Sequence, residues 1–323
     1  MTISTLQSMQ VRTKIGSTYP VTYLDRHDSR IVSTAYTEAE LAAFHAELTT
    51  PIHHCDPITG SDYRIYAFNQ DRYNPHQGMA IFFHAIGSSP HTRQGYEAVR
   101  ELRKRLPNQL LIAIGSEGTD DVRTSRQWHE RANHATLAAV RHNCIEHVRS
   151  HLKMPQQTPL HFIGQSYGGI IAYETCRLAQ EQVQLHVKQL SLLATPNRAR
   201  RSINFLSRLI TQEAIGFARN GLPQKISHLS SHATEVMPRG MRAAITHWSL
   251  IRIIAQSELD LDRIDPRTRV LMCAGEKDHI ARTPRLETTP PNQQHFIVRG
   301  NYHSDMLLDA PFCAEVVAST NNL

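Results

Sequence analysis

Ser166 has the sequence surroundings of a nucleophile. It lies in Gly164-Gln-Ser-Tyr-Gly168, which fits the pattern Gly-x-Ser-x-Gly, between an apolar run that starts at Leu160 and a helical pattern. In that setting the pattern is typical of a sharp strand-to-helix turn with a serine at its apex. A side chain at Gly164 or Gly168 would crowd such a turn. The sequence therefore predicts a serine hydroxyl raised clear of a sheet, beside the amide of Tyr167, which can donate to a developing oxyanion.

A serine hydroxyl needs two further groups before it can attack at neutral pH. A histidine must take its proton, and a carboxylate must fix the histidine tautomer and stabilise its charged form. Asp278 and His303 each follow a predicted strand, and with Ser166 they give the chain order Ser…Asp…His. We therefore predict Asp278 as the acid and His303 as the base of a catalytic triad.

Other residues compete for these two roles. Asp305 and Asp309 are alternative acids, and His279 is an alternative base. Asp278 is favoured because it alone closely follows a predicted strand. His279 adjoins the predicted acid and therefore lies on the wrong loop for the base, which favours His303.

The elements that must position these residues alternate between strands and helices. Residues 63–68 alternate like a strand, and continuous apolar runs predict strands buried on both faces at residues 79–83, 110–114, 160–163, 190–194, 269–274 and 295–298. Helical patterns fall at residues 93–106, 137–152 and 170–178, and a closing helix begins at Pro311. This alternation predicts an α/β fold, a mainly parallel central sheet with helices on both faces. The carboxyl ends of such strands share one edge, where Ser166, Asp278 and His303 would meet.

The sheet pattern stops at residue 198 and resumes near residue 269. Residues 198–262 contain two helical stretches, which predict a helical cap above the strand ends. We therefore predict a core made of residues 61–197 and 263–323. Residues 1–60 are expected to form an N-terminal extension packed on that core, with a strand at residues 21–24 and a helix at residues 37–48 that starts with a capping box.

The composition is that of a globular protein. Of 323 residues, 40% are hydrophobic and 20% are charged, and the net charge is +6 with a pI near 9.2. Basic residues are interspersed with acidic ones, so no nucleic-acid partner is expected. No stretch approaches the length of a transmembrane segment, and the first residues lack the features of a signal peptide. Five widely spaced cysteines, without a CxxC pair, favour free thiols in a reducing compartment, so the expected location is cytoplasmic.

No cofactor and no metal are expected. The glycines around Ser166 do not fit the dinucleotide-binding pattern Gly-x-Gly-x-x-Gly. His53-His-Cys-Asp56 has suitable side chains for a metal. Adjacent residues of an extended chain point to opposite faces, however, and no second ligand cluster stands out nearby.

These motifs resemble those of the α/β-hydrolase family over roughly residues 61–197 and 263–323. Gly164-Gln-Ser-Tyr-Gly-Gly169 matches the family's nucleophile elbow, and Ala274-Gly-Glu-Lys-Asp278 looks like its acid loop. Gly300-Asn-Tyr-His-Ser304 resembles its Gly-x-His-Ser ending with one extra residue. The resemblance implies the same triad of Ser166, Asp278 and His303.

The stretch His84-Ala-Ile-Gly87 matches the family's His-Gly-x-Gly oxyanion loop, except that Ala85 replaces a glycine. The resemblance implies that the amides of Ile86 and Tyr167 form the oxyanion hole. His84 is then expected to order the loop rather than to carry protons. The elbow and the helix after it are also similar to those of acyl thioesterases.

The expected function is hydrolysis of a carboxylic ester or thioester through an acyl-Ser166 intermediate. The substrate would be a small-molecule acyl ester or thioester, and the arginine-rich first cap helix leaves a CoA- or carrier-linked acyl group open. Two alternatives stay open beside hydrolysis. One is acyl transfer with the same triad, and the other is a binding protein that kept the fold and lost the chemistry.

Overall fold

The computed structural model describes the greater part of the chain. The described residues are 7–12, 18–24, 37–117, 119–182, 185–197, 253–254, 256–278, 281, 290–301, 303, 306 and 309–321. The predicted cap at residues 198–262 lies outside the described residues, except for its last part. That last part includes Ile253 and Ile254, which are buried against the core, and a 3₁₀ turn at Leu261–Arg263.

One sheet of eleven strands organises the described chain. Its strands are β1 (Gln7–Arg12), β2 (Thr18–Leu24), β3 (Ile52–Cys55), β4 (Asp62–Phe68), β5 (Met79–Phe83), β6 (Leu110–Ile114), β7 (Val122–Arg123), β8 (Leu160–Gln165), β9 (Val187–Leu193), β10 (Arg269–Gly275) and β11 (Gln293–Val298). The strand order is β1-β2-β11-β10-β9-β8-β5-β6-β4-β3, with β7 paired to β4. The seven neighbouring strands β2, β11, β10, β9, β8, β5 and β6 pair in parallel. Strand β1 pairs antiparallel with β2 at one edge, and β4 and β3 add antiparallel strands at the other. The predicted mainly parallel sheet is confirmed.

Helices cover both faces of the sheet. They are α1 (Glu38–Leu48), α2 (Arg93–Arg105), α3 (Arg126–Arg131), α4 (His134–His151), α5 (Tyr167–Gln182) and α6 (Ala310–Asn321). Alternate residues of β5 divide between two cores: Met79 and Ile81 pack with α4 and α5, whereas Ala80 and Phe82 pack with α1, α2 and α6. All five β5 residues are buried, as expected for a strand between two layers of helices.

Side-chain caps fix where several helices begin. The hydroxyl of Thr37 accepts a hydrogen bond from the Glu40 amide, and the Glu40 carboxylate accepts one from the Thr37 amide. This reciprocal pair is the predicted capping box at the start of α1. Thr92 and Asn133 accept hydrogen bonds from the third residue of α2 and α4 respectively, so each satisfies an otherwise free amide.

The strand order places a crevice where chemistry can occur. From β5 the chain adds β6 on one side, and it then crosses back to add β8 on the other side. The loops that leave β5 and β8 therefore diverge at the carboxyl edge of the sheet, and such a switch point is where open α/β sheets bind ligands. The loop after β5 begins with His84, and the residue after β8 is Ser166.

Strands β1, β2 and β3 extend the sheet at its two edges. Strand β2 pairs in parallel with β11, and β3 pairs antiparallel with β4. The sequence patterns predicted β2 but missed β1, β3, β7 and α3, which are short or rich in polar residues. His53, His54 and Cys55 lie in β3. The division of the chain at residue 60 stays a prediction.

Four of the cysteines are buried free thiols, and Cys55 is exposed. Burial raises the pKa of the Cys144 thiol to about 12, so this group stays protonated at neutral pH. Such thiols behave as small apolar side chains in the core.

Two buried histidines lie within the sheet itself. His161 in β8 has Nε2 2.9 Å from the hydroxyl of Ser191, and His295 in β11 has Nε2 3.4 Å from the Gln293 side chain. Burial lowers the pKa of His161 to about 3 and that of His295 to about 4. Both rings are therefore neutral in the folded protein at pH 7.

These histidines should make the fold sensitive to acid. The pKa of His295 is about 4 when folded against an ordinary value of 6.5, so between these pH values only the unfolded chain binds the proton. Acidification through this window should lower the free energy of unfolding by up to about 1.4 kcal/mol per pH unit for this group. Replacing His295→Leu should flatten that slope, as measured by urea unfolding at pH values from 7.5 to 4.5.

Thr175→Val provides the matched control. Thr175 is a buried residue of α5 whose hydroxyl does not titrate in this pH range, so its replacement should leave the pH slope of the free energy of unfolding unchanged. An unaltered slope in His295→Leu would contradict the assignment of a neutral buried ring.

Candidate active site

Ser166 occupies a strained position between β8 and α5. Its φ of 53° lies in the left-handed region, where a non-glycine residue costs about 1–3 kcal/mol. Two backbone hydrogen bonds hold this conformation. The Ser166 amide donates to the carbonyl of Leu193 over 2.8 Å, and the Ser166 carbonyl accepts from the Gly169 amide over 2.8 Å. The turn predicted from Gly-x-Ser-x-Gly is therefore present.

The glycines of the elbow are required by close backbone contacts. A Cβ atom on Gly168 would lie 2.1 Å from the carbonyl oxygen of Phe83, the last residue of β5. A Cβ atom on Gly164 would lie 2.4 Å from the carbonyl oxygen of Gly168. Neither contact can be relieved by a side-chain movement, because the atoms belong to the backbone. The predicted crowding at Gly164 and Gly168 is confirmed.

Ser166, His303 and Asp278 form a continuous chain of hydrogen bonds. Ser166 Oγ lies 2.9 Å from His303 Nε2, and His303 Nδ1 lies 2.9 Å from Asp278 Oδ2. All three residues are buried. Because a carboxylate only accepts, His303 must donate from Nδ1, which leaves Nε2 to accept from the serine hydroxyl in the neutral ring.

The loop of Asp278, the predicted acid, is hydrogen-bonded to the loop that carries His303, the predicted base. Asp278 Oδ1 accepts from the amide of Ala281, and the Asp278 amide donates to the carbonyl of Gly275. One residue earlier, the amide of Lys277 donates to the carbonyl of Asn301 over 2.9 Å. These bonds fix the carboxylate and tie the carboxyl ends of β10 and β11 together.

Of the alternative acids and base, only Asp309 lies among the described residues. Asp309 Oδ1 accepts from the amide of Phe312 over 3.3 Å, so this carboxylate lies at the start of α6 as a helix cap. His279 and Asp305 lie outside the described residues.

The predicted oxyanion loop makes a tight turn beside the elbow. The amide of Ser88 donates to the carbonyl of Ala85 over 3.0 Å, and Gly87 has a φ of 70°, as a type II turn requires at its third position. Ile86 occupies the second position. The loop starts close to α5, because a Cβ atom on Gly168 would also lie 2.5 Å from the carbonyl oxygen of His84.

His84 is buried in a neutral state. Burial lowers its pKa to about 3, and neither ring nitrogen has a hydrogen-bond partner within the part of the chain that the structure describes. Its ring packs edge-on against Phe82 with centroids 4.5 Å apart. An ordering role for His84 in the loop stays a prediction, and packing is what supports it.

A buried ion pair lies behind the elbow, and the sequence patterns did not reveal it. Arg141 in α4 donates to Glu117 in the loop after β6 over 2.6 Å, and the hydroxyl of Tyr167 donates to the same carboxylate over 3.1 Å. Two signals were available. Arg141 interrupts the apolar face of α4, and Glu117 follows a strand at the same edge as the other site residues.

Comparison with known families decides the classification. The profile of the thioesterase domain matches residues 91–299, which is more than half of the chain. The chain belongs to the thioesterase domain family. It is therefore an enzyme that hydrolyses ester or thioester bonds. No curated protein sequence matches the chain.

Solved structures of other hydrolases share the fold of this thioesterase-family enzyme. A carboxylesterase of Nitrososphaera gargenis has 13% identity and a TM-score of 0.57, covering 83% of this chain and 97% of its own. A hydrolase from Pseudomonas aeruginosa has 15% identity and a TM-score of 0.55, covering 84% and 97%. A thermophilic esterase has 14% identity and a TM-score of 0.54, covering 84% and 96%. At such identities the likeness shows the fold alone, and the predicted α/β-hydrolase fold is confirmed.

The described residues lack two other kinds of site. Within this part of the chain, no group of three or more His, Cys, Asp or Glu side chains is arranged to hold a metal ion. Across the same residues, no helix combines the length and the apolar character that crossing a bilayer demands.

The enzyme offers a direct comparison between two candidate acids. Asp278→Asn should lower kcat on the order of 10⁴-fold, because an amide favours the wrong imidazole tautomer. Asp309→Asn is the matched control, since it removes a carboxylate from the start of α6, and it should leave kcat within a few-fold of the wild type. Both values can be measured with a p-nitrophenyl ester. If Asp309→Asn lost most of its kcat while Asp278→Asn kept the wild-type value, Asp309 would replace Asp278 as the predicted acid.

Proposed function

We propose that this enzyme hydrolyses small-molecule acyl esters or thioesters through an acyl-Ser166 intermediate. The observation that carries the proposal is the hydrogen-bonded series from Ser166 Oγ through His303 to Asp278 Oδ2, with 2.9 Å at each step. The series lies at the carboxyl edge of the sheet, at the switch point between β5 and β8.

In the first step His303 Nε2 takes the proton of the Ser166 hydroxyl while Oγ attacks the carbonyl carbon of the substrate. Asp278 accepts from Nδ1 throughout, so it keeps the ring in the productive tautomer and stabilises the imidazolium that forms. The strained backbone of Ser166 supports this step, because it holds Oγ at the apex of the turn rather than within a helix.

Backbone amides would stabilise the negative charge on the tetrahedral intermediate. Tyr167 is the first residue of α5, so its N–H has no partner within that helix and points out of the helix N-terminus. The second donor is the amide of Ile86 in the turn after β5. One such donor is worth about 10²–10³-fold in kcat in other serine hydrolases.

Collapse of the intermediate releases the alcohol or thiol, which takes the proton from His303, and leaves the acyl group on Ser166. His303 then accepts a proton from water as the water attacks the acyl carbonyl, and it gives that proton to Ser166 Oγ as the bond between Oγ and the acyl carbon breaks and the acid is released. The sequence of steps uses only residues of this chain and one water molecule.

We further propose a thioester with an anionic leaving group, such as a CoA or a carrier-bound thiol. The family supports the thioester, and the net charge of +6 supports attraction of an anionic group. A cytoplasmic location is proposed as well, supported by the buried free cysteines. Fractionation of the tagged protein tests the location.

The nucleophile can be tested by one substitution. Ser166→Ala should lower kcat by about 10⁴-fold or more and abolish labelling by a fluorophosphonate probe, while the fold stays intact. Ser319→Ala in α6 is the matched control, because it also removes a hydroxyl but lies away from the triad, and it should keep full labelling. Undiminished labelling of Ser166→Ala would remove the proposed mechanism.

The substrate class can be tested with a panel of acyl-CoA thioesters and p-nitrophenyl esters of matched chain length. A higher kcat/KM for the CoA thioesters, falling as salt is added, supports the anionic leaving group. Equal values for both series would contradict it. Release of free acid in water, without an added acceptor, distinguishes hydrolysis from acyl transfer.

A further inference from the structure

We propose that the loop after β6 positions both donors of the oxyanion hole, through Glu117 on one side and Ser116 on the other. This bridging loop comprises residues 115–117 and 119–121. The inference rests on the proposed function, because it assigns a role in the proposed oxyanion hole. Glu117 and Ser116 are positioning residues, since they act through Tyr167 and Ser88 and not on the substrate.

On the elbow side, the bridging loop holds Tyr167 by its hydroxyl. Tyr167 Oη donates to Glu117 Oε2 over 3.1 Å, and both residues are buried. Burial and then the Glu117 carboxylate raise the pKa of Tyr167 well above its usual value, so the hydroxyl keeps its proton. We call this hydrogen bond the tether. It fixes Tyr167, the first residue of α5, by the hydroxyl at the far end of its side chain from the backbone amide.

The carboxylate of Glu117 is itself held by a buried cation. Arg141 Nη2 donates to Glu117 Oε1 over 2.6 Å, and the guanidinium lies 4.7 Å from the centre of the Tyr63 ring. Burial alone would lower the pKa of Arg141, but Glu117 raises it above its usual value, so the guanidinium stays charged. Each carboxylate oxygen of Glu117 thus has its own donor.

On the other side, the neighbouring residue holds the turn that carries Ile86. The amide of Ser116 donates to the carbonyl of Ser88 over 3.1 Å, and the amide of Ser88 donates to Ser116 Oγ over 3.2 Å. Ser116 Oγ also donates to the Ser88 carbonyl over 3.1 Å. Ser88 closes the turn by its bond to Ala85, so Ser116 fixes the turn on which the second donor lies.

A third tie joins the bridging loop, through Tyr66 in β4, to His91 in the segment between the oxyanion loop and α2. The hydroxyl of Tyr66 donates to Asp121 Oδ1 over 2.6 Å and lies 2.8 Å from His91 Nε2. Because the hydroxyl has one proton and gives it to the carboxylate, His91 donates from Nε2 to the Tyr66 oxygen. The segment that follows the oxyanion loop is thus anchored to the bridging loop at Ser88 and, through Tyr66, at His91.

These contacts set the spacing of the two donors. Adjacent residues of one buried loop bind the elbow residue and the turn after β5, so a shift of either partner must move the other or break a buried hydrogen bond. Donors that are fixed before the charge develops need no reorganisation during the reaction, and this is where an oxyanion hole gains its effect.

The test removes one hydroxyl at a time. Tyr167→Phe deletes the tether but leaves the Arg141–Glu117 pair intact, and it should lower kcat by about 10–100-fold with KM unchanged. Tyr173→Phe is the matched control, because it deletes a buried hydroxyl of the same helix that donates to the carbonyl of Asp260. The control should keep the wild-type kcat with a similar change in Tm.

A transition-state analogue separates positioning from general stability. A trifluoromethyl ketone forms an oxyanion on Ser166, so its affinity should fall in Tyr167→Phe by the same factor as kcat/KM. Ser116→Ala should show the same pattern, and the double variant should lose less than the product of the two single losses, because both act on one hole.

Some outcomes overturn the inference. If Tyr167→Phe keeps the kcat of Tyr173→Phe, or binds the ketone as tightly as the wild type, the bridging loop only stabilises the fold. The same conclusion follows if the losses of Tyr167→Phe and Ser116→Ala multiply. Fluorophosphonate labelling of each variant distinguishes this result from failure of the proposed function. If activity and labelling survive Ser166→Ala, the mechanism itself falls, and the inference falls with it.

Discussion

The contact between the backbone of Gly168 and the end of β5 is the constraint on which the site depends. A Cβ atom on Gly168 would lie 2.1 Å from the carbonyl oxygen of Phe83. The N-terminal turn of α5 can therefore lie against this strand only if residue 168 is a glycine. That approach sets Ser166 at the apex of the turn and brings Tyr167 beside the loop that starts at His84. Ser166 and the proposed donors are thus positioned by a contact between two backbone segments, independently of the side-chain hydrogen bonds.

The buried ion pair of Arg141 and Glu117 holds the side chain of Tyr167 in this arrangement. Removing one partner of a buried ion pair typically destabilises a protein by about 3–5 kcal/mol, whereas apolar replacement of a whole pair is often neutral. The pair of Arg141 and Glu117 therefore gives no strong gain in stability over apolar side chains. Its value lies in an acceptor of fixed position for the hydroxyl of Tyr167. Groups whose pKa is strongly shifted by burial and by a specific charged partner, as in Tyr167 and Arg141, commonly lie near functional sites.

Much of the fold and of the candidate triad could be predicted because local patterns determine them. The apolar run of β5 reads as a buried strand, and parallel strands bring Ser166, Asp278 and His303 to one edge. The unpredicted parts depend on partners that are distant in sequence. Strand β3 has only four residues and gains its structure from β4, and Arg141 is tolerated in the core only because Glu117 meets it. The hydrophobic periodicity of the sequence cannot reveal such a pairing, because the two side chains meet only when α4 packs against the sheet.

The parallel pairing of β2 with β11 joins segments from opposite ends of the described chain, with Thr22 beside Phe296. Such a contact has a large sequence separation, and a ribosome releases β2 long before β11. During synthesis, the elbow strand and its neighbours can form while β2 still waits for its partner. The loop after β11 carries His303, so the histidine joins Ser166 only when the last strand docks. For the proposed triad, this order means that a nascent chain holds Ser166 without its base until the sheet is complete.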